Sequence, residues 1–309
     1  MSRAIYFHAP ATFARSRVFD DRSGPEAFDQ ALALRVQDLC GRSLRQASRF
    51  IHLAAVGALA SVREATPPAS TGVYLATGLG DQRTPARVFA QTRTGPPAVS
   101  PFDFVNMNSN TATYYIARLA GLAGPNLTIS QGVLSFEWAL RQACIAIEEG
   151  LDHALVGGVD ESAPSIAELE RRYKPPRGES PGEGSAWLML STESARAVGR
   201  LVDMRWLNAP RAADWQRLHE RLVDLAAQGP IFVSSGSHVP RPFVTELVDR
   251  LPRATLRTPM ADCGDYPTSS AYAVAQGLRD PSPRPATLLH ISADGRGRFV
   301  TLLCHTGHA

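Results

Sequence analysis

Two periods of apolar residues alternate along this chain, one near 3.6 and one of short continuous runs, and together they predict alternating helices and strands. Between Ser43 and Ala65, Leu44, Phe50, Leu53, Ala54, Val56 and Leu59 fall at helical spacing with arginines on the other face, and Pro67-Pro68 stop the helix. Thr71–Thr77 (TGVYLAT) reads as a short buried strand closed at Gly78 and Gly80, followed by a polar stretch, 81–101, of loop with a helical piece. A second helix is predicted over Asn106–Leu122, ended by Gly121 and Gly124-Pro125, then a short strand over Leu127–Ser130. Ser135–Gly150 forms a third helix, with Trp138, Ala139, Ala143 and Ile147 on one face. The apolar run Ala154–Val159 (ALVGGV) suits a central strand covered on both faces, as in a layered α/β sheet.

The stretch Tyr173–Gly184 (YKPPRGESPGEG), rich in Pro, Gly and charge, marks the expected boundary between a first half, 1–172, and a second, 173–309, of one compact unit. Strands are predicted at Ala186–Ser191, Leu201–Trp206, Ile231–Ser234, Thr287–Ser292 and Arg298–Cys304. Helices are predicted at Ala213–Ala227, Arg241–Leu251 and Ser269–Leu278. No short repeat is present, but both halves alternate in the same way, which is compatible with a duplicated architecture.

Composition narrows the function classes. With 44% hydrophobic and 20% charged residues in 309, the chain is of ordinary globular type, able to bury a large core. A net charge of +3 argues against a dedicated nucleic-acid binder. The four cysteines, Cys40, Cys144, Cys263 and Cys304, form no CxxC pair, so neither a zinc ribbon nor a disulfide framework is expected. The histidines show no metal-ligand spacing, and the predicted complement of metals and cofactors is none. No apolar run approaches a membrane span and Met1–Pro10 lacks a signal-peptide core, so a cytoplasmic protein without a membrane span is expected.

The local words say more than the periodicity. Gly124-Pro125, Thr128 and Ser130, then Ile147, Gly150, Asp152, Ala154, Leu155, Val156, Gly157 and Gly158, match in order and spacing a GP-x-x-T-x-S strand, an elbow, a helix and I-x-x-G-x-x-D-x-A-L-V-G-G. This resembles the β-ketoacyl synthase family of the thiolase superfamily. Ser48-Arg49-Phe50, Gly72-Val73 through Gly80, Ser100-Pro101-Phe102 through Asn110, and Gly182-Glu183-Gly184 through Ala197 extend the likeness. It is good from about Ser43 to Val202 and weak beyond. The resemblance implies a thiolase-like layered α-β-α-β-α fold, with a second half shorter than usual.

It also implies a Cys-His-His site, and here that site is missing. A thiolate at a helix N-terminus would attack an acyl thioester, and two histidines would donate to the malonyl thioester oxygen. The nucleophile position falls on Val133, whose hydrocarbon side chain cannot attack anything. The first histidine position maps to Ser235 and the second to Asp265, an anion that would repel an enolate. The family's upstream lysine maps to Met260, and its glycine-rich gating turn to Ser292–Gly297.

Other residues are weighed against plain structural readings. Ser135, two residues past the elbow, is either a helix-end hydroxyl or a replacement nucleophile. Cys144 lies on the apolar side of its helix, and Cys263 stands beside Asp262 and Asp265, which would raise its pKa. Glu148-Glu149 reads as a solvated helix end.

The resemblance therefore implies a non-catalytic subunit of the chain-length-factor type, with no catalytic residues of its own. It would pair as a heterodimer with an active ketoacyl synthase, shape its acyl tunnel, and meet acyl carrier protein through that complex. Small synthase-like partners of aryl polyene pathways are the nearest subtype. The Leu127–Ser130 strand and the helix after Asn106 would form the pairing face, with Asn110, Thr113, Tyr114 and Ala117 on one helix face and Tyr114 as tunnel floor. The rivals are an acyltransferase or hydrolase using Ser135 or Cys263, and a homodimeric binding protein.

Overall fold

The computed structural model describes residues 3–16, 24–94, 99–162, 181–236, 238–280 and 285–307. Its first half carries β1 (Tyr6–Ser16), β2 (Gly72–Ala76), β3 (Asn126–Ile129), β4 (His153–Asp160) and β5 (Gly182–Ser191). The helices of that half are α1 (Gly24–Cys40), α2 (Arg49–Ala65), α3 (Arg83–Thr94), α4 (Pro101–Asn106), α5 (Asn110–Ala120) and α6 (Ser135–Glu148). The second half contains β6 (Gly199–Asn208), α7 (Ala212–Gln228), β7 (Ile231–Ser235), α8 (Arg241–Asp249) and β8 (Ala254–Leu256). It closes with α9 (Met260–Cys263), α10 (Ser269–Arg279), β9 (Ala286–Ala293) and β10 (Arg298–Thr306).

The ten strands among the described residues join in one sheet of order β3-β2-β4-β5-β1-β6-β10-β9-β7-β8. Counted within its own half, each set of five strands reads 1-5-4-2-3 outward from the centre. The pairing senses agree as well. The second strand is parallel to the third and fourth, and the fifth is antiparallel to the fourth and first, in both halves. The halves meet where Tyr6 and Phe7 of β1 pair with Arg200 and Gly199 of β6. The duplicated architecture is therefore real. The second half keeps all five strands, and its brevity falls on the connections: among the described residues α8 alone links β7 to β8, where α3, α4 and α5 link β2 to β3.

Strand alternation sends side chains to two faces, and three cores result. Tyr74, Ala76, Val156 and Leu188 point inward to α6 (Phe136, Leu140, Ile147) and α10 (Ala271, Val274, Leu278), a helical layer that also receives Leu288 and Leu302 of the second half. Val73, Leu75, Leu155 and Trp187 point outward to α1, α2 and α5. Ile231, Val233, Leu289 and Ile291 point outward to α7 and α8. Helix, half-sheet, helix, half-sheet, helix is the α-β-α-β-α layering expected. Trp187 lies so tightly on β4 that a Cβ on Gly157 would fall 2.1 Å from its ring, which accounts for a glycine inside a buried strand.

Several predicted boundaries shift. The helix predicted from Ser43 begins at Arg49, because Ser48 caps it by accepting from the Ile51 N–H. The helix predicted over Asn106–Leu122 is two helices. Thr111 Oγ1 donates to the Val105 carbonyl at 2.8 Å, so a side chain takes a bond the helix ladder would use and the chain turns between α4 and α5. β5 begins at Gly182, inside the stretch predicted as a boundary, and pairs within the first set of five strands, so the two sets part between Ser191 and Gly199; positions 173–180 of that stretch and the expected division at 172/173 lie outside the described residues.

Candidate functional site

Four chain segments converge at one end of the sheet, around the turn before α6. Gly132 takes φ +60, and Gly132–Leu134 form a single 3-10 turn that places Val133, half-buried, just ahead of the helix. Gly78, in the turn after β2, packs so closely that a Cβ there would meet Pro267 at 2.2 Å and the Gly132 carbonyl at 3.0 Å. The segment carrying Asp265 thus lies against the elbow. Gly236, beside Ser235, approaches Ser292, where a Cβ would sit 3.8 Å from the Ser292 Cα, and β9 in turn contacts the Val133 turn. Val133, Ser235, Asp265 and the start of the 292–297 turn are therefore brought into one neighbourhood.

Several polar groups of this neighbourhood are bonded within the chain. The carboxylate of Asp160, fully buried at the end of β4, accepts from Thr77 Oγ1 (2.9 Å), Gly78 N (2.9 Å) and Leu79 N (2.8 Å) on one oxygen. Its other oxygen accepts from Thr268 N (2.9 Å) and Thr268 Oγ1 (2.8 Å), just before α10. Burial raises its pKa to about 6 against the pull of those donors. A reciprocal tie runs the other way: Ser292, at the end of β9, donates to Glu137 in the first turn of α6 at 2.5 Å. Burial pushes the Glu137 carboxyl up as well. Each half thus holds the leading end of the other half's central helix.

Neither proposed replacement nucleophile is set up to attack. Ser135 is fully buried; its hydroxyl accepts from the Gln131 N–H at 2.7 Å and lies 2.7 Å from the Gly132 carbonyl and 3.0 Å from that of Thr77. No histidine is among its hydrogen-bond partners, so it braces the elbow. Cys263 is fully buried with its thiol on the Gly264 carbonyl, and burial, then Asp265 and Asp262, push its pKa far up.

The predicted pairing face needs one correction. Asn110 and Tyr114 are exposed and Ala117 is half-buried, but Thr113 turns inward, its hydroxyl on the Asn110 carbonyl at 2.8 Å and 3.4 Å from Thr128 Oγ1 of β3. The four do not share one open face. Tyr114 is 57% exposed and stands edge-on to Tyr115, so it is not part of the chain's own core. With it, Phe89, Phe102, Phe104 and Val105 of α3 and α4 and Leu127 of β3 are exposed. β3 is an outermost strand of the sheet.

Two features were not anticipated from the sequence. A buried ion cluster joins Glu183 to Arg49 (2.7 Å) and Arg15 (2.7 Å), and Arg49 to Asp29 (2.7 Å). Burial opposes the Glu183 charge, but Arg49 foremost holds its carboxyl below the usual value. The spacing of these four residues along the chain gives no signal. The second is His290 in β9, fully buried with Nδ1 2.8 Å from Ser234 Oγ, which burial lowers to a pKa of about 4.

Residues 28–170 match the family described as Beta-ketoacyl synthase, N-terminal domain. No curated protein matches the sequence. Among solved structures, the ishigamide ketosynthase/chain length factor aligns over 98% of this chain and 99% of its own, with 16% identity and a TM-score of 0.72. A type II polyketide acyl-carrier protein in complex with its ketosynthase (AntDE:AntF) aligns over 99% of this chain and 100% of its own, with 14% identity and a TM-score of 0.74. A β-ketoacyl synthase from Burkholderia phymatum aligns over 99% and 100%, with 14% identity and a TM-score of 0.71. At such identities these likenesses establish the fold.

Proposed function

We propose that this chain is a β-ketoacyl-synthase-like, non-condensing subunit of the chain-length-factor type, a reading supported by the match of residues 28–170 to the β-ketoacyl synthase N-terminal domain and by the ketosynthase fold of the whole chain. One observation carries the reading. The 3-10 turn before α6 carries Val133, and the hydroxyl two residues on, Ser135, is bonded to the backbone. Condensation needs a nucleophile and donors aimed at a developing oxyanion. At the corresponding positions this chain offers a hydrocarbon, Ser235 and the acidic Asp265.

The partner is an active ketoacyl synthase, and the contact is the face of α4, α5 and β3. An outermost strand presents unpaired backbone groups, and here apolar side chains flank it. Pairing through β3 would bury Tyr114, Leu127 and Phe104 and place α5 beside the partner's acyl tunnel, with Tyr114 as its floor. Acyl carrier protein delivers substrate to the complex in polyketide or fatty-acid-like chain building, with an aryl polyene pathway as the subtype. No helix among the described residues is long and apolar enough to cross a membrane, in keeping with a cytoplasmic role.

Co-expression with an intact ketoacyl synthase of the same organism, followed by gel filtration, tests the reading. A one-to-one complex burying more than about 2,000 Å² is expected. A stable monomer that ignores the synthase would overturn it.

A further inference from the structure

The charge of the open face names its partner more closely. From Arg83 to Ser130 the sequence holds four arginines, Arg83, Arg87, Arg93 and Arg118, against one acidic residue, Asp103. That stretch therefore carries the chain's entire net charge of +3, and the remainder is balanced. It is also the stretch that builds α3, α4, α5 and β3.

The few possible neutralising contacts are already made. Arg83 pairs with Asp29 at 3.2 Å, and Asp103 is held by Arg87 at 2.5 Å. Arg93 lies 5.9 Å from the ring of the exposed Phe89. Arg93 and Arg118 are exposed and have no carboxylate partner among the described residues. Arg118 follows Tyr114 by one helical turn, so a cation flanks the most prominent aromatic of α5.

A pair of identical chains joined about a two-fold axis sets each patch against its own copy. Here that would bring cations and their uncompensated charge onto one another around an apolar centre, and like charges across an interface cost affinity and slow encounter. An acidic face of the same shape would instead be drawn in. We infer that the α3–α5 and β3 face selects a ketosynthase-fold partner whose matching edge is acidic, so that this chain pairs with a different subunit and not with a second copy of itself. The inference rests on the pairing proposed above and adds the charge rule that decides between hetero- and homodimer.

The test is a titration of the purified chain with a purified ketoacyl synthase of the same organism, and of the chain alone, by sedimentation velocity at 50 and 500 mM NaCl. The chain alone should remain monomeric at 50 mM. Binding to the synthase should weaken about tenfold at the higher salt, as screening shortens the reach of the charges to roughly a few ångströms. Arg93→Glu and Arg118→Glu should each weaken binding about five- to tenfold at 50 mM and by less than about threefold at 500 mM. Arg250→Glu, just past the end of α8 in the other half, should change nothing. These arginines are exposed, and a matching thermal midpoint will confirm that the variants fold. A tight dimer of the chain alone at 50 mM, or synthase binding indifferent to salt and to both reversals, would overturn the charge rule while leaving the pairing intact. No binding of the unaltered chain at either salt would instead overturn the pairing itself.

Discussion

The elbow before α6 and the face of α5 and β3 belong to the same half, yet their polar and apolar groups are used in opposite ways. At the elbow, Asp160 takes five donors, Ser135 is bound to three backbone groups, and Ser292 reaches across to Glu137. At the edge, Tyr114 is 57% and Leu127 43% exposed, and β3 has a neighbour on one side alone. A site that works on a substrate must leave something unsatisfied for it. At the elbow these groups are held by bonds within the chain, whereas the side chains left open to solvent are the apolar ones of α5 and β3.

The comparison breaks most visibly at Asp160. Asp160→Ala strands donors from two segments at once, the turn after β2 and Thr268 before α10, and a buried donor without an acceptor is costly. Urea unfolding should show a loss of about 3–5 kcal/mol. A loss under about 1 kcal/mol would mean that the elbow is not held together as described.

His290 sharpens the closed side through pH. Its folded pKa of about 4 lies below the unfolded value of 6.5, so the unfolded chain binds the extra proton between those values. The contribution is whole above pH 6.5 and is lost as pH falls toward 4, by about 3 kcal/mol. Asp160 and Glu161, raised to about 6 and about 7, act in the opposite sense. The quantity to measure is therefore the stability difference between the unaltered chain and His290→Gln. It should fall by that amount from pH 7 to pH 4, whereas a constant difference would show that His290 protonates freely in the folded state.

Ser135→Ala removes the acceptor for one backbone N–H and should cost about 1 kcal/mol in the same unfolding assay. A complex containing this variant should make the same products at the same rate, and a loss of turnover in an intact complex would restore Ser135 as a working residue.

The smallest effect on stability is expected at the open side. Tyr114→Ala trims an exposed ring and should shift folding by less than about 0.5 kcal/mol. Mass spectrometry of the acyl products should nevertheless show longer chains from an assembled complex. Unchanged lengths would leave α5 as packing alone.

Much of the layered fold could be read from periodicity. The continuous apolar runs at β4 and β5 and the helical spacing of α2, α6 and α10 are local signals of two-sided burial or of one buried stripe. β1 was not read, because Pro10 and a register shift between His8 and Ala11 interrupt its alternation. β8, three residues long, is too short to show any period. α1 was passed over although Phe28, Leu32, Val36 and Leu39 recur at helical spacing.

The turn before the helix was legible from its words: Gly132–Leu134 form a 3-10 turn directly ahead of α6. The ties that close it were not: Asp160 meets Thr268 108 positions away, and Glu137 meets Ser292 across 155. Such partners are chosen by the duplicated topology and not by neighbouring sequence. The face of α5 was half legible. Helical spacing grouped Thr113 with Tyr114, but only the placement of β3 shows that Thr113 turns inward to Thr128.

Condensation of acyl and malonyl thioesters should be measured with the co-purified complex in which the synthase's own nucleophile alone has been replaced, beside the unaltered complex and this chain by itself. The account predicts turnover from the unaltered complex, and none above buffer background from the other two, even when Val133→Cys is introduced here, because loss of a single oxyanion donor already costs about 10²–10³ in rate. Product formed by the complex lacking the synthase nucleophile, or by this chain alone, would contradict the claim that its elbow is closed to chemistry.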